Sequence, residues 1–231
     1  EDSVIIFETE RKLLMKEKTY ILFDLDGTLT DPMVGITKSV QYALKSYGIE
    51  EPDLEKLTPF IGPPLKDSFM KYYGFSEEQA VEAIGRYREY FAVTGMFENQ
   101  VYEGIPQMLK TLKAAGKKLF VATSKPEQFS IQILEHFHLQ SYFDFVGGAS
   151  MDEVRVKKDE VIAYVMETVG ITDVRKMVMV GDREHDIFGA KKHGMDSVGV
   201  LFGYGSRQEL KEAGATYLVE SVKELEKLLC P

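Results

Sequence analysis

The stretch Tyr20-Ile21-Leu22-Phe23-Asp24-Leu25-Asp26-Gly27-Thr28-Leu29-Thr30-Asp31 decides how the rest of the chain is read. Its first four residues form an apolar run bounded by polar ones, the pattern of a strand buried on both faces of a parallel sheet. Such strands present functional side chains at their carboxyl ends, where an open α/β sheet forms its ligand crevice. Alternation along an extended segment predicts that Asp24 and Asp26 point the same way. Gly27 then permits a sharp turn without a steric penalty. Two carboxylates converging on one point need a cation or a proton between them.

Beyond this stretch the pattern changes to helix. Pro32 suits a first helical turn, and Ile36, Val40, Ala43, Leu44 and Tyr47 recur at helical spacing up to Gly48. A short helix around Leu54 to Leu57, one from Pro64 to Tyr73 and one from Glu77 to Phe91 follow. Ser76 and Gln79 stand at capping-box spacing before the last of these. Its aromatic residues, with Phe69, Tyr72 and Tyr73, read chiefly as the core of a helical insertion. Gly62-Pro63-Pro64 breaks the helices and is the rigid loop expected to face the crevice.

From Gly104 the chain returns to strands alternating with helices. Strands are expected at Leu119–Ala122, Phe143–Val146, Met177–Val180, Ser197–Leu201 and Tyr217–Val219, with helices between them and a last helix at Val222–Leu229. That alternation predicts right-handed crossovers and a doubly wound, Rossmann-like α/β sheet. Residues 15–31 and 101–231 would form this core and residues 32–100 an inserted all-helical cap. Residues 1–14 read as an extension or disordered arm.

Composition narrows the function. The chain has 231 residues and a formal net charge of −9, so no basic surplus is available for a nucleic-acid polymer, and an acidic surface repels anionic membranes. The lone cysteine, Cys230, has no internal partner, which fits a reducing cytoplasm. A small anionic substrate remains compatible, because a local cluster of cations outweighs an average charge. The chain reads as a monomer or small homo-oligomer.

Polar residues follow two more strands at their carboxyl ends: Thr123-Ser124-Lys125, and Gly181-Asp182-Arg183-Glu184-His185-Asp186. Asp182 and Asp186 are four apart and would share a helix face. Joined to Asp24 and Asp26 they make a hard-oxygen set suited to Mg²⁺. Attack of a carboxylate on a phosphate dianion about 4 Å away meets repulsion on the order of 8 kcal/mol at an effective dielectric of 20. A Mg²⁺ and one lysine from Lys157-Lys158 reverse that sign, and Thr123 and Ser124 can orient the phosphoryl oxygens.

The pieces Asp24-Leu25-Asp26-Gly27-Thr28, Thr123, Lys158 (or Lys157) and Gly181-Asp182-Arg183-Glu184-His185-Asp186 resemble, in type and order, the motifs of the haloacid dehalogenase superfamily. The likeness runs from about residue 19 onward and is nearest the phosphoglycolate phosphatase-like and 5′-nucleotidase-like branch with a helical C1 cap. The resemblance implies Asp24 as nucleophile and Mg²⁺ ligand, and Asp26 as acid/base and backbone-carbonyl ligand. It further implies Thr123 as phosphate binder, Lys158 as charge-balancing lysine, and Asp182 with Asp186 completing the metal site. Gly27, Ser124, Gly62, Pro63 and Pro64 would touch substrate. The lysine motif, commonly Lys-Pro in the family, reads Lys158-Asp159 here. Dehalogenases of the superfamily lack the second aspartate, so Asp26 argues for phosphoryl transfer. Sugar phosphate mutases usually carry an arginine in the cap loop where this chain has Leu65, which favours hydrolysis of a small phosphorylated metabolite. A phosphatase is expected, with a mutase and a non-catalytic phosphometabolite sensor as alternatives.

Overall fold

The computed structural model describes residues 12–230; residues 1–11 of the stretch read as an extension lie outside the described residues. Residues 12–16 are helical, and Met15 is buried in the core.

Six parallel strands stand in the order β5-β4-β1-β6-β7-β8. They are β1 (Tyr20–Phe23), β4 (Lys118–Pro126), β5 (Phe145–Ala149), β6 (Met177–Gly181), β7 (Asp196–Val200) and β8 (Tyr217–Val219). Strand β1 is central, with Ile21 in register between Leu119 and Val178, and Phe23 between Val121 and Val180. Ile21, Leu22 and Phe23 are fully buried, each contributing about 1.5–3 kcal/mol by leaving water.

The strand pleat divides the core into two layers. Ile21, Phe23, Leu119, Val121, Val178 and Val180 pack against Leu109 and Leu112 of α4 (Ile105–Ala114), Ile133 of α5 (Glu127–His136) and Leu225 of α9 (Val222–Leu229). Leu22, Phe120, Met177 and Met179 face Val161 and Ile162 of α6 (Lys158–Val169) and Ala190 of α7 (Glu184–Lys192). Helix α8 (Arg207–Ala213) covers the far end of the sheet, where Leu210 packs with Ile187. Helices on both faces give the α/β, Rossmann-like architecture expected from the sequence.

Between β1 and α4 the chain runs through α1 (Met33–Lys45), a 3-10 helix at Leu54–Phe60, α2 (Leu65–Tyr73) and α3 (Glu77–Phe91). The Ser76 capping box is present: Ser76 Oγ accepts from the Gln79 amide at 3.2 Å and Gln79 Oε1 from the Ser76 amide at 2.9 Å. These helices are entered and left through a two-stranded antiparallel ribbon, β2 (Thr30–Asp31) against β3 (Gln100–Val101). Two-residue strands carry no periodicity, so the sequence pattern does not reveal this ribbon. Among the described residues, no helix is long and apolar enough to cross a membrane.

Several boundaries differ from the sequence reading. Strand β5 begins at Phe145 and runs through Gly147-Gly148, residues of poor strand propensity that hid its end. Asp144 instead ties the strand entrance down, accepting from the Leu119 amide at 3.0 Å. Helix α7 begins at Glu184, where the Asp186 carboxylate caps it by accepting from the Arg183 amide at 3.1 Å. Asp182 therefore precedes the helix, and its nearness to Asp186 comes from the turn between them, not from a shared helix face.

Candidate active site

The chain leaves β1 toward β4 and β5 on one side, and reaches β6, β7 and β8 on the other. The carboxyl ends of β1, β4 and β6 meet at this reversal, the place where an open α/β sheet opens a crevice. Asp24 follows β1, Thr123 to Lys125 end β4, and Asp182 follows β6.

Lys158 sits at the centre. Its Nζ donates to the Ala122 carbonyl at 2.9 Å and pairs with Asp24 Oδ1 at 2.9 Å and Asp186 Oδ1 at 2.8 Å. Burial alone would depress this ammonium, but Asp186 and Asp24 outweigh it and hold the lysine above its ordinary range. Lys157 is exposed and takes no part in these ion pairs. The first helical turn of α6 thus separates two adjacent lysines that the sequence leaves open.

Asp24 Oδ1 also accepts from the Leu25 amide at 2.8 Å, which fixes the carboxylate. Asp24, Asp182 and Asp186 each offer an oxygen within 4.8 Å of the others. Burial first, and then Asp186 and Asp24, push the Asp182 carboxyl well above the usual range. Burial and Asp24 raise Asp186 to about 6 against the pull of Lys158.

Asp26 does not join this group through its side chain, contrary to the expected convergence with Asp24. Strand β1 ends at Phe23, so the alternation that would align the two acids has already stopped. Asp26 Oδ2 pairs with Lys125 Nζ at 2.9 Å, and Oδ1 has no hydrogen-bond partner. Burial raises the Asp26 carboxyl, with Lys125 opposing. The same Lys125 ammonium lies 4.2 Å from the centre of the Phe91 ring on α3. Lys125 carries no role in the sequence reading; its place directly after Thr123-Ser124 at a strand end is the signal that could have found it.

Thr123 is buried, and its Oγ1 accepts from the Lys125 amide at 3.1 Å, shaping the loop after β4. Gly27, with φ of +77°, stands so close to Asp182 that a Cβ there would lie 2.2 Å from Oδ2. The loop after β7 completes the cradle: the Tyr204 amide donates to Asp182 Oδ2 at 2.8 Å, and the Tyr204 hydroxyl donates to Asp31. A Cβ on Gly203 would lie 2.4 Å from that of Asp182, so the loop can approach only with glycine there. Neither the Gly203-Tyr204 contact nor Lys125 is visible as a sequence period.

Gly62, Pro63, Pro64 and Ser124 line a cavity of about 70 Å³ above Asp26 and Lys125, room for roughly five water molecules. The loop carrying them is held from below: Arg183 Nη1 donates to the Ile61 carbonyl at 2.8 Å, while Arg183 Nε pairs with Glu209 at 2.8 Å.

The donor chemistry fits a hard divalent cation. Four buried carboxylates, Asp24, Asp26, Asp182 and Asp186, face two buried ammonium groups, Lys125 and Lys158. With all four ionised, two negative charges remain, in a place where unbalanced charge is costly. One Mg²⁺ on the Asp24, Asp182 and Asp186 oxygens would balance them.

The chain is similar to several known proteins. Over 209 residues the chain is 46% identical to a Pseudomonas aeruginosa protein named 5′-nucleotidase, covering 90% of this chain and 94% of that one. It is 38% identical to the tyrosine-protein kinase PtkA of Mycobacterium tuberculosis over 87% of this chain and 68% of that protein. A crystal structure from Clostridium acetobutylicum, described as a predicted phosphatase, superposes with a TM-score of 0.89 at 54% identity, covering 91% of this chain and 97% of that one. The family model for haloacid dehalogenase-like hydrolases matches residues 21–200, from the first residues of β1 to the end of β7, and the chain belongs to that family.

Proposed function

We propose that the chain is a Mg²⁺-dependent phosphatase that hydrolyses a small phosphomonoester, phosphoglycolate-like or a nucleoside 5′-monophosphate, through an aspartyl-phosphate. The observation that carries the reading is the separation of the two acids: Asp24 is held among Lys158 and the acidic group, while Asp26 stands apart on Lys125. Asp24 is thereby set against the Lys158 ammonium, while Asp26, raised by burial, is suited to hold a proton.

Asp24 attacks phosphorus, the bond to the leaving oxygen breaks, and Asp26 delivers its proton to that oxygen. Asp26, now a carboxylate, takes a proton from water, whose oxygen attacks phosphorus and releases Asp24 and inorganic phosphate. Thr123, Ser124 and Lys158 orient and balance the phosphoryl oxygens. Asp24, Asp182, Asp186 and the Asp26 backbone carbonyl would hold Mg²⁺, which would supply further positive charge against the phosphoryl group. Gly62, Pro63 and Pro64 close the cavity over the site as part of a helical cap formed by residues 32–100. Leu65, at the start of α2, offers no charge to a second phosphate, which favours hydrolysis over a mutase.

Turnover of 4-nitrophenyl phosphate with Mg²⁺, its loss in EDTA and its return with added Mg²⁺ test the reading. Metal-independent turnover, or full activity in Asp24→Asn, would defeat it.

A further inference from the structure

The cavity above Asp26 contains two basic side chains among its described lining residues, Lys125 and Arg88. Neither is free. Lys125 is engaged by Asp26 and the Phe91 ring. Arg88, on α3, pairs through Nη2 with Glu153 Oε1 at 2.5 Å. Glu153 belongs to the loop after β5, so this pair spans the cavity mouth from the inserted helices to the sheet.

That loop is built to present Glu153. Its ends are closed by the Ser150 amide donating to the Arg155 carbonyl at 2.8 Å, and Arg155 Nε donates to the Gly148 carbonyl at 3.0 Å. Glu153 itself has φ of +62°, a left-handed conformation uncommon for a residue with a side chain. Strain of this kind, held by surrounding bonds, clusters at ligand sites.

The remaining walls are apolar and ring-bearing, from Phe60, Tyr87, Phe91 and Phe129. Tyr87 is only 4% exposed, and its ring stacks on that of Phe91 with centroids 5.3 Å apart.

We propose that this cavity takes the uncharged, ring-bearing leaving group of a phosphomonoester, and that Glu153 determines the specificity by occupying Arg88 and repelling any second anion on the substrate. The inference rests on the phosphatase reading and chooses between its two substrate types. A carboxylate-bearing ester such as phosphoglycolate finds no unpaired cation in the cavity and meets Glu153 at its mouth. A ring finds aromatic walls.

The test compares kcat/KM for benzyl phosphate and phosphoglycolate with Mg²⁺ in the full chain. Wild type is expected to favour benzyl phosphate by at least about tenfold. Glu153→Gln, which releases Arg88, is expected to raise the phosphoglycolate-to-benzyl ratio about tenfold, chiefly through KM for phosphoglycolate. Glu153→Gly, suited to the positive φ, should do the same and controls for distortion of the loop. Adding Arg88→Met to Glu153→Gln should return the ratio to the wild-type value. Wild-type preference for phosphoglycolate, an unchanged ratio in both Glu153 variants, or a raised ratio that survives Arg88→Met overturns the inference while leaving the phosphatase reading standing. Absence of Mg²⁺-dependent turnover of both esters overturns the reading and the inference together.

Discussion

Arg183 Nη1 donates to the carbonyl oxygen of Ile61 at 2.8 Å, joining the residue after Asp182 to the loop that carries Gly62, Pro63 and Pro64. The guanidinium is held in turn by Glu209, whose Oε1 also accepts from the Glu184 amide at 2.9 Å. One planar group thus fixes the loop to the acidic end of the site.

Arg183→Met is expected to loosen that loop and lower kcat/KM by about tenfold, with Glu209→Gln causing a smaller loss because it only frees the arginine. Steady-state kinetics of both variants and of their double variant measure the coupling; additive losses would show that the two side chains act independently.

Gly27→Ala places a methyl group where Asp182 Oδ2 now lies, 2.2 Å from the ideal Cβ position. The carboxylate must move, and activity is expected to fall about 100-fold, since displacement by about 1 Å is sufficient for such a loss. Mg²⁺ titration of activity should show weaker apparent binding. A normal titration curve with full activity would mean that Asp182 has no part in holding the ion.

Lys158→Met removes the cation between Asp24 and Asp186. Loss of activity below detection is expected, with destabilisation of about 3 kcal/mol in the absence of metal from the buried carboxylates left unpaired. Lys157→Met, at an exposed position, should keep activity within about threefold and stability within about 0.5 kcal/mol. Chemical denaturation and aryl phosphate turnover of the two variants give the comparison; equal losses would contradict the placement of the buried lysine.

Lys125→Met leaves Asp26 buried without its ion pair. A fall in kcat of about 100-fold is expected, the scale of a lost acid/base contribution. Lys125→Arg keeps a cation but replaces the compact ammonium on Asp26 with a planar guanidinium, and should recover only part of the rate. Full activity of Lys125→Met would remove Lys125 from the proposed chemistry.

Asp144 sets a pH dependence of folding away from the site. Burial pushes its carboxyl up, but the Lys113 and Leu119 hydrogen bonds and the charges of Lys113 and Lys118 outweigh it, so it is held below its ordinary range. A depressed carboxyl contributes stability that is full above its unfolded value, about 4, and is lost as pH falls through the folded value. The Tm gap between wild type and Asp144→Asn is therefore expected to shrink from about pH 7 to about pH 3. A gap that widens on acidification would reverse the sign of the effect.

Most of the sheet was legible because its strands are buried on both faces, which demands continuous apolar runs such as Met177-Val178-Met179-Val180. Strand β5 was displaced by two residues because Gly147-Gly148 gives no such run. The β2–β3 ribbon escaped because two residues are too few for any period. The acidic residues at strand ends were legible by position alone, since a strand end in an α/β sheet faces the crevice whatever follows it.

The sequence by itself determined the alternation of strands and helices, the insertion after Asp31, and which residue types stand at the carboxyl ends of β1, β4 and β6. Those features depend on local periodicity and on the order of elements. Only the tertiary structure decided that Lys158 and not Lys157 lies between Asp24 and Asp186, that Asp26 turns to Lys125, and that Arg88 is taken by Glu153. Ion pairs join residues remote in the chain, and their partners are set by distances of a few ångströms in a buried, weakly screening medium. No spacing along the chain encodes those distances.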